Sequence, residues 1–202
     1  MELAVDRIIP GEKGRTQVRF DNGEEVVLYR AEIRKLGLEE GMPVTEEIYQ
    51  TIYTEILGTR AKRRAMHLLE RQDRTEKQLR EKLRQNGYPA SCIDLAVEYV
   101  KQFHYVDDLR YAEVYVRLHQ AKKSRQRLTM DLFGKGISRD LIEQALEEEY
   151  VSEEDDKILE ILQKRHYSFA DADEKEQRKQ YQYLMRHGFK GSDILKALKN
   201  NG

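Results

Sequence analysis

The chain has 202 residues, of which 36 % are charged, and its 36 Lys and Arg against 37 Asp and Glu leave a net charge of -1. A globular norm is about 25 % charged, so the excess implies much solvated surface. One cysteine excludes an internal disulfide, no apolar run approaches the roughly 20 residues of a membrane span, and no secretory signal is recognisable, so a soluble cytoplasmic protein is expected.

In chain order, Leu3 to Ile9 and Thr16 to Phe20 alternate apolar and polar positions, and Glu25 to Tyr29 is a short apolar strand candidate. Asp21, Asn22 and Gly23 separate the last two, and Asn-Gly is a strong hairpin signal. A small antiparallel sheet of two or three strands is predicted. A short helix near Ala31 to Leu36, a glycine-punctuated turn from Gly37 to Gly41 and a helix from Glu46 to Leu57 follow. We read this region as a packing cap for the helices beyond it.

From residue 59 the pattern becomes helical and repeats. Leu83, Gly87, Tyr88, Ile93 and Ala96 are echoed by Leu132, Gly136, Ile137, Ile142 and Ala145, then by Leu184, Gly188, Phe189, Ile194 and Ala197. The glycines are 49 residues apart (136 minus 87) and then 52 (188 minus 136), a spacing that marks a tandem helical array. Each stretch reads as helix, left-handed glycine stop, helix, with the residue after glycine packing back on the leucine. Upstream amphipathic runs, such as Ala65 to Leu69 and Ile158 to Leu162, add a third helix to each unit. Such a unit is too small to be robust alone, so stacking is expected. The fold class is therefore mainly α, an elongated array of three tandem three-helix repeats behind an N-terminal β-hairpin or sheet. Its divisions are 1–58, 59–106, 107–152 and 153–202. Thr75 and Gln78 have capping-box spacing, and Asp107 or Asp108 can cap the helix that opens the second repeat.

No catalytic constellation emerges. His67, His104, His119, His166 and His187 are dispersed, Cys92 reads as a small core residue, and the Asp107–Asp108 doublet lacks further carboxylates at metal-ligand spacing. There is no Gly-rich phosphate loop and no nucleophile elbow. We expect no enzymatic activity, no cofactor and no metal.

The charges are sorted along the chain. Arg71, Arg74, Lys77, Arg80 and Arg84 cluster in the first repeat, and Lys122, Lys123, Arg125 and Arg127 in the second. Glu147, Glu148, Glu149, Glu153, Glu154, Asp155 and Asp156 then surround the join to the third. For any single cation the ordinary reading is a solvated face, paired with acids such as Glu76 and Glu81. As a group, these nine basic residues are the candidates for contact with a polyanion or an acidic partner. Tyr111 and Tyr115 are placed to stack on bases, although their spacing suits core packing better.

The combination of Arg74-Thr75, Lys82-Leu83 before Asn86-Gly87, and Tyr105-Val106-Asp107-Asp108 resembles the RecX family, bacterial regulators of the RecA recombinase. The resemblance is good over residues 61–150 and looser in the third repeat, and the N-terminal sheet looks like a variable extension. Two departures stand out: members usually have serine where Thr75 stands, and often a Gly-rich basic turn where Lys122 to Arg127 stand. The resemblance implies a non-enzymatic monomer that binds the RecA filament on single-stranded DNA, directly or through the protein. It would limit ATP hydrolysis, filament growth and strand exchange, and so temper recombination, DNA repair and the SOS response. The alternatives are a stand-alone DNA-binding helical module or an interaction scaffold with no nucleic-acid role.

Overall fold

The computed structural model describes residues 3–151, 154–168 and 171–199. Glu153 of the acidic run lies outside them. The alternating segments form β1 (Val5–Pro10), β2 (Arg15–Phe20) and β3 (Glu25–Tyr29), an antiparallel sheet of order β1-β2-β3. Period-two patterning puts Val18, Phe20, Val26 and Leu28 on the buried face. The β2–β3 loop is wider than a two-residue turn. Phe20 N–H donates to the Glu24 carbonyl at 2.9 Å, and Asn22 Oδ1 accepts from Glu24 N–H at 2.9 Å.

After α1 (Arg30–Leu36), the helix expected to stop near Leu57 does not stop. From α2 (Glu46–Gln50) the chain widens into π-helical turns over Thr51–Gly58 and continues as α3 (Thr59–Arg71). Gln50, Thr51, Gly58 and Thr59 are all right-handed helical, so the run has no break at which to cap. Arg60 on this run donates to the Val27 carbonyl at 3.0 Å, pairs with Glu32 and covers the Tyr29 ring at 4.3 Å. Sheet and first repeat share one hydrophobic core, in which Cys92 is buried and donates its Sγ–H to the Tyr53 carbonyl at 3.1 Å. Burial pushes the Cys92 thiol up to about 11, which makes it inert at neutral pH.

Three repeats follow. The first is α3, α4 (Glu76–Gln85) and α5 (Ala90–Gln102); the second is α6 (Asp108–His119), α7 (Arg125–Gly134) and α8 (Arg139–Glu149). The third is α9 (Glu154–Lys164), α10 (Glu174–Arg186) and α11 (Gly191–Lys199). Gly87, Gly136 and Gly188 are left-handed, with φ of 81°, 91° and 86°. The amide after each glycine donates to the leucine carbonyl at 3.3 Å: Tyr88 to Leu83, Ile137 to Leu132, Phe189 to Leu184. The glycine amides bond Arg84, Phe133 and Met185, which completes the Schellman pattern in all three. Ile93, Ala96, Ile142, Ala145, Ile194 and Ala197 are all buried.

The longer second interval, Gly136 to Gly188, also has a local cause. From Gly87 to Ser124, which caps α7, and from Gly136 to Asp173, which caps α10, the chain takes the same 37 residues (124 minus 87; 173 minus 136). α10 has 13 residues where α7 has 10, and that difference absorbs the extra three.

The chain packs as two compact units, Met1–Arg74 with Gln78–Val106, and Thr75–Lys77 with Asp107–Gly202. Inside the second unit the glycine turns have a further role. Ser124 is fully buried; its Oγ accepts from Arg127 N–H at 3.1 Å and donates to the Gly188 carbonyl at 2.7 Å, while its amide donates to the His187 carbonyl at 3.1 Å. Thr75, equally buried, donates its hydroxyl to the Lys135 carbonyl, one residue before Gly136, also at 2.7 Å. A Cβ on Gly188 would lie 2.6 Å from Ser124 Oγ and from Arg127 Cβ. On Gly136 it would lie 2.2 to 2.9 Å from the Lys77 side chain, whereas on Gly87 it would meet nothing within 4 Å. Among the described residues no helix is long and apolar enough to cross a membrane.

Substitution by alanine separates the two roles of these glycines. Gly87→Ala should cost only the left-handed penalty, roughly 1–2 kcal/mol in urea unfolding. Gly136→Ala and Gly188→Ala should cost clearly more, because a Cβ there must displace its neighbours. Three equal losses would remove the packing role.

Candidate nucleic-acid interface

Tyr111, Tyr115 and His119 recur every four residues along α6 and so share one of its faces. The two tyrosine rings lie parallel with centroids 6.4 Å apart, and the His119 ring meets Tyr115 edge-on at 4.2 Å. Along α7 and onto its C-cap residue, the same spacing sets Arg127, Asp131 and Lys135 in a row. The loop between these helices brings in Lys122 and Lys123.

Asp131 sits at the centre of this cluster. Its Oδ2 accepts from Lys123 Nζ at 2.8 Å and from the Tyr115 hydroxyl at 3.1 Å, and its Oδ1 pairs with Arg127 Nε at 3.1 Å. Burial pushes the Asp131 carboxyl up, but the Lys123 hydrogen bond and charge, then Tyr115 and Arg127, hold it below its ordinary value. Burial likewise works against the Lys123 ammonium, and its bonds to Asp131 and Tyr115 hold it above the usual lysine value. Lys135 Nζ lies 5.7 Å from the Tyr111 centroid and 5.3 Å from that of Tyr115. Neither Lys122 nor Lys135 has an acid within ion-pair distance among the described residues.

His119 registers the surplus of charge. Burial is the largest influence lowering its pKa, followed by the fields of Lys123, Lys135 and Lys122, which the Asp131 carboxylate only partly opposes. The lysines of this cluster can receive phosphate oxygens, whereas Tyr111 and Tyr115 are partly buried against the core of the second repeat, as their spacing suggested, with Lys123, Lys135 and His119 against their rings.

The nine sequence candidates fall into different settings. Lys123 and Arg127 converge on Asp131, and the Lys122 field reaches the same cluster through His119. Lys77 is exposed, and its Cβ, Cγ and Cδ lie over Gly136 in the same unit. Arg125 turns to Glu143 at 2.7 Å, and its amide donates to Glu154 at 2.9 Å. In the first unit Arg80 pairs with Asp94 at 2.6 Å and Arg84 with Glu81, the second as the helical spacing suggested. Arg71 is exposed, and Arg74 is half-buried with its Nε inside the fold. Lys157 is a cation withdrawn from the surface, buried with Nζ 3.5 Å over the Tyr150 ring, and burial lowers its pKa to about 8.

Sequence reasoning missed Lys135 and His119. The available signal was the four-residue spacing that links His119 to Tyr115 and Lys135 to Asp131. The Asp107–Asp108 doublet does act in capping. Asp107 accepts from Arg110 N–H at 3.0 Å, and Asp108 accepts from Glu76 N–H, at the start of α4, at 2.8 Å. Among the described residues no group of three His, Cys, Asp or Glu side chains is placed to hold a metal.

Fold and site together define a tandem three-helix repeat protein that carries a cationic cluster beside two partly buried tyrosines. Comparison with known proteins places that class. The family models for the first, second and third three-helix domains of RecX match residues 61–99, 107–146 and 153–198. The chain is 34 % identical to the regulatory protein RecX of Caldanaerobacter subterraneus subsp. tengcongensis, over 97 % of this chain and 98 % of that one. It is 29 % identical to that of Clostridium acetobutylicum, over 93 % and 90 %. A crystal structure of regulatory protein RecX superposes with a TM-score of 0.60 at 22 % identity, covering 98 % of this chain and 100 % of that one. That of RecX from Lactobacillus salivarius gives 0.56 at 24 %, covering 71 % and 95 %. The chain belongs to the RecX family of regulatory proteins.

Because its folded pKa is depressed, His119 should titrate below its ordinary value of about 6.5 in an NMR experiment. The unfolded chain then binds more protons, so this group removes stability as pH falls below about 6.5. A bound polyanion should move the His119 pKa upward. A midpoint at or above the ordinary value would contradict the crowded cationic setting.

Proposed function

We propose that this RecX-family chain is a non-enzymatic regulator of RecA that binds the RecA filament on single-stranded DNA and limits ATP hydrolysis, filament growth and strand exchange. In this reading it acts in the cytoplasm as a monomer, without cofactor or metal, and tempers recombination, DNA repair and the SOS response. The four divisions 1–58, 59–106, 107–152 and 153–202 are its working modules. The observation that supports the reading is the cluster in which Lys123 and Arg127 share one carboxylate, Asp131, while Lys122 and Lys135 add their fields at the neighbouring His119. Asp131 neutralises part of that group, and the remainder is available to a phosphate backbone or an acidic protein surface.

Of the nine sequence candidates, Lys122 and Lys77 fit this contact best, and Lys135 joins them. Arg80, Arg84 and Arg125 are engaged with acids, so their contribution requires exchange of partners. Arg71 and Arg74 remain candidates in the first unit.

A titration of RecA's DNA-dependent ATPase tests partner and surface together. The wild-type chain should suppress it at substoichiometric to near-equal ratios. Lys122→Glu combined with Lys135→Glu should move the midpoint by roughly tenfold or more, the equivalent of about 1.4 kcal/mol. An ATPase that runs unchanged with wild type contradicts the reading. Tight, salt-sensitive duplex binding without RecA would support a stand-alone DNA-binding module instead.

A further inference from the structure

A second surface, in the first unit, owes nothing to the Asp131 cluster. Tyr99, Phe103 and Tyr105 form a ladder of rings, with centroids 5.1 Å apart between the first two and 6.1 Å between the last two. Phe103 is 55 % exposed and Tyr105 48 % exposed. At the foot of the ladder, a groove of about 530 Å³ is lined by Lys62, Arg63, Met66, His67 and Tyr99, with Glu70 as an acidic member. Lys62 Nζ lies 5.3 Å over the Tyr99 ring, and Glu70 is within 3.6 Å of His67. Among the described residues neither Lys62 nor Arg63 has an acid within ion-pair distance.

The exposure of Tyr105 is an exception within this fold. α5 ends with His104 in the left-handed region, φ 56°, and the Tyr105 amide donates to the Val100 carbonyl at 3.0 Å, the same closure as at the glycine turns. At the other turns of this kind the following residue goes inward: Leu38, Ile137, Tyr167 and Phe189 are 4 %, 1 %, 9 % and 2 % exposed, and Tyr88 is partly buried. Tyr105 makes the capping backbone bond, but its side chain does not pack inward. Its neighbour Val106 fills the core instead, at 5 % exposure. The packing of the fold therefore does not account for the two outermost rings.

We infer that the Tyr99–Phe103–Tyr105 ladder is a stacking platform for unpaired bases of a single-stranded nucleic acid, with Lys62 and Arg63 placed for its phosphates. The solvent-exposed rings of Phe103 and Tyr105 can receive any base, and cations without acid partners beside Tyr99 supply the charge complement. An acidic protein segment would satisfy the cations but gain little from the open ring faces, so a nucleic acid fits the pair of features better. The inference deepens the proposed function by assigning base contact to a surface separate from the Lys122–Lys135 cluster, and it rests on single-stranded DNA being a partner.

The chain contains no tryptophan, so Phe103→Trp installs a single reporter at an exposed aromatic position. Oligothymidylate, added without RecA, should quench its emission, and an abasic oligonucleotide of equal length and charge should quench it at least about fivefold more weakly. Phe103→Leu in the otherwise native chain should weaken oligothymidylate binding in fluorescence anisotropy by a similar factor. Equal quenching by the abasic strand would reduce the surface to a phosphate contact and overturn the inference. Absence of quenching by either strand would overturn it too, and quenching by RecA alone would make the ladder a protein-docking surface. The ATPase titration is read independently, so loss of quenching with intact ATPase control leaves the proposed function standing.

Discussion

A buried hydroxyl that bonds a glycine turn is the contact on which the second unit depends. Ser124 is the N-cap of α7, and in the same position it donates to the Gly188 carbonyl in the third repeat. One side chain thus starts a helix and fixes the following repeat against it. Buried hydroxyls are costly unless bonded, which ties the burial of Ser124 to this geometry. Thr75 makes a corresponding bond to its own glycine turn, one carbonyl earlier, at Lys135, so serine and threonine both serve where the chemistry asks only for a small donor. Glycine completes the contact, because any Cβ at 136 or 188 would occupy space already held by Lys77 or by Ser124 and Arg127.

This contact also governs where charge is displayed. Lys77 lies two residues beyond Thr75 and Arg127 three beyond Ser124, so the same approach that seats the glycines places these two cations. Arg127 then meets Asp131 one turn along α7, and Asp131 gathers Lys123 and Tyr115. The scaffold and the cationic cluster are thereby built from overlapping residues. Change at the turns should be felt at the surface, and loss of Asp131 should loosen the lysines without removing them.

Most of the helical fold was legible in the sequence because its repeated residues have repeated physical jobs. Leu83, Gly87 and Tyr88 close a helix by the same hydrogen bonds as their counterparts, and no tertiary information is needed to expect that. The left-handed stops at His104 and His166 were not legible, since histidine adopts that conformation only occasionally and has no compositional signature there. The helix end expected at Leu57 failed for a related reason: widened turns carry the chain through Thr51–Gly58 without a cap. At the candidate site, charge clustering pointed to Lys122, Lys123 and Arg127. It gave no hint of Lys135 or His119, which enter only when α6 and α7 are brought side by side. Pairing was equally hidden, because Arg80 finds Asp94 fourteen residues away on the neighbouring helix.

If one interaction joins Ser124 to the Gly188 turn, its two sides must be energetically coupled. A double-mutant cycle in urea, with Ser124→Ala, Gly188→Ala and the double variant, measures this directly. The account predicts that the double variant loses less than the two singles together by about 1 kcal/mol or more, since the bond is counted once and removing Oγ relieves part of the clash. Additivity to within about 0.5 kcal/mol would contradict it and leave the hydroxyl as a helix cap alone.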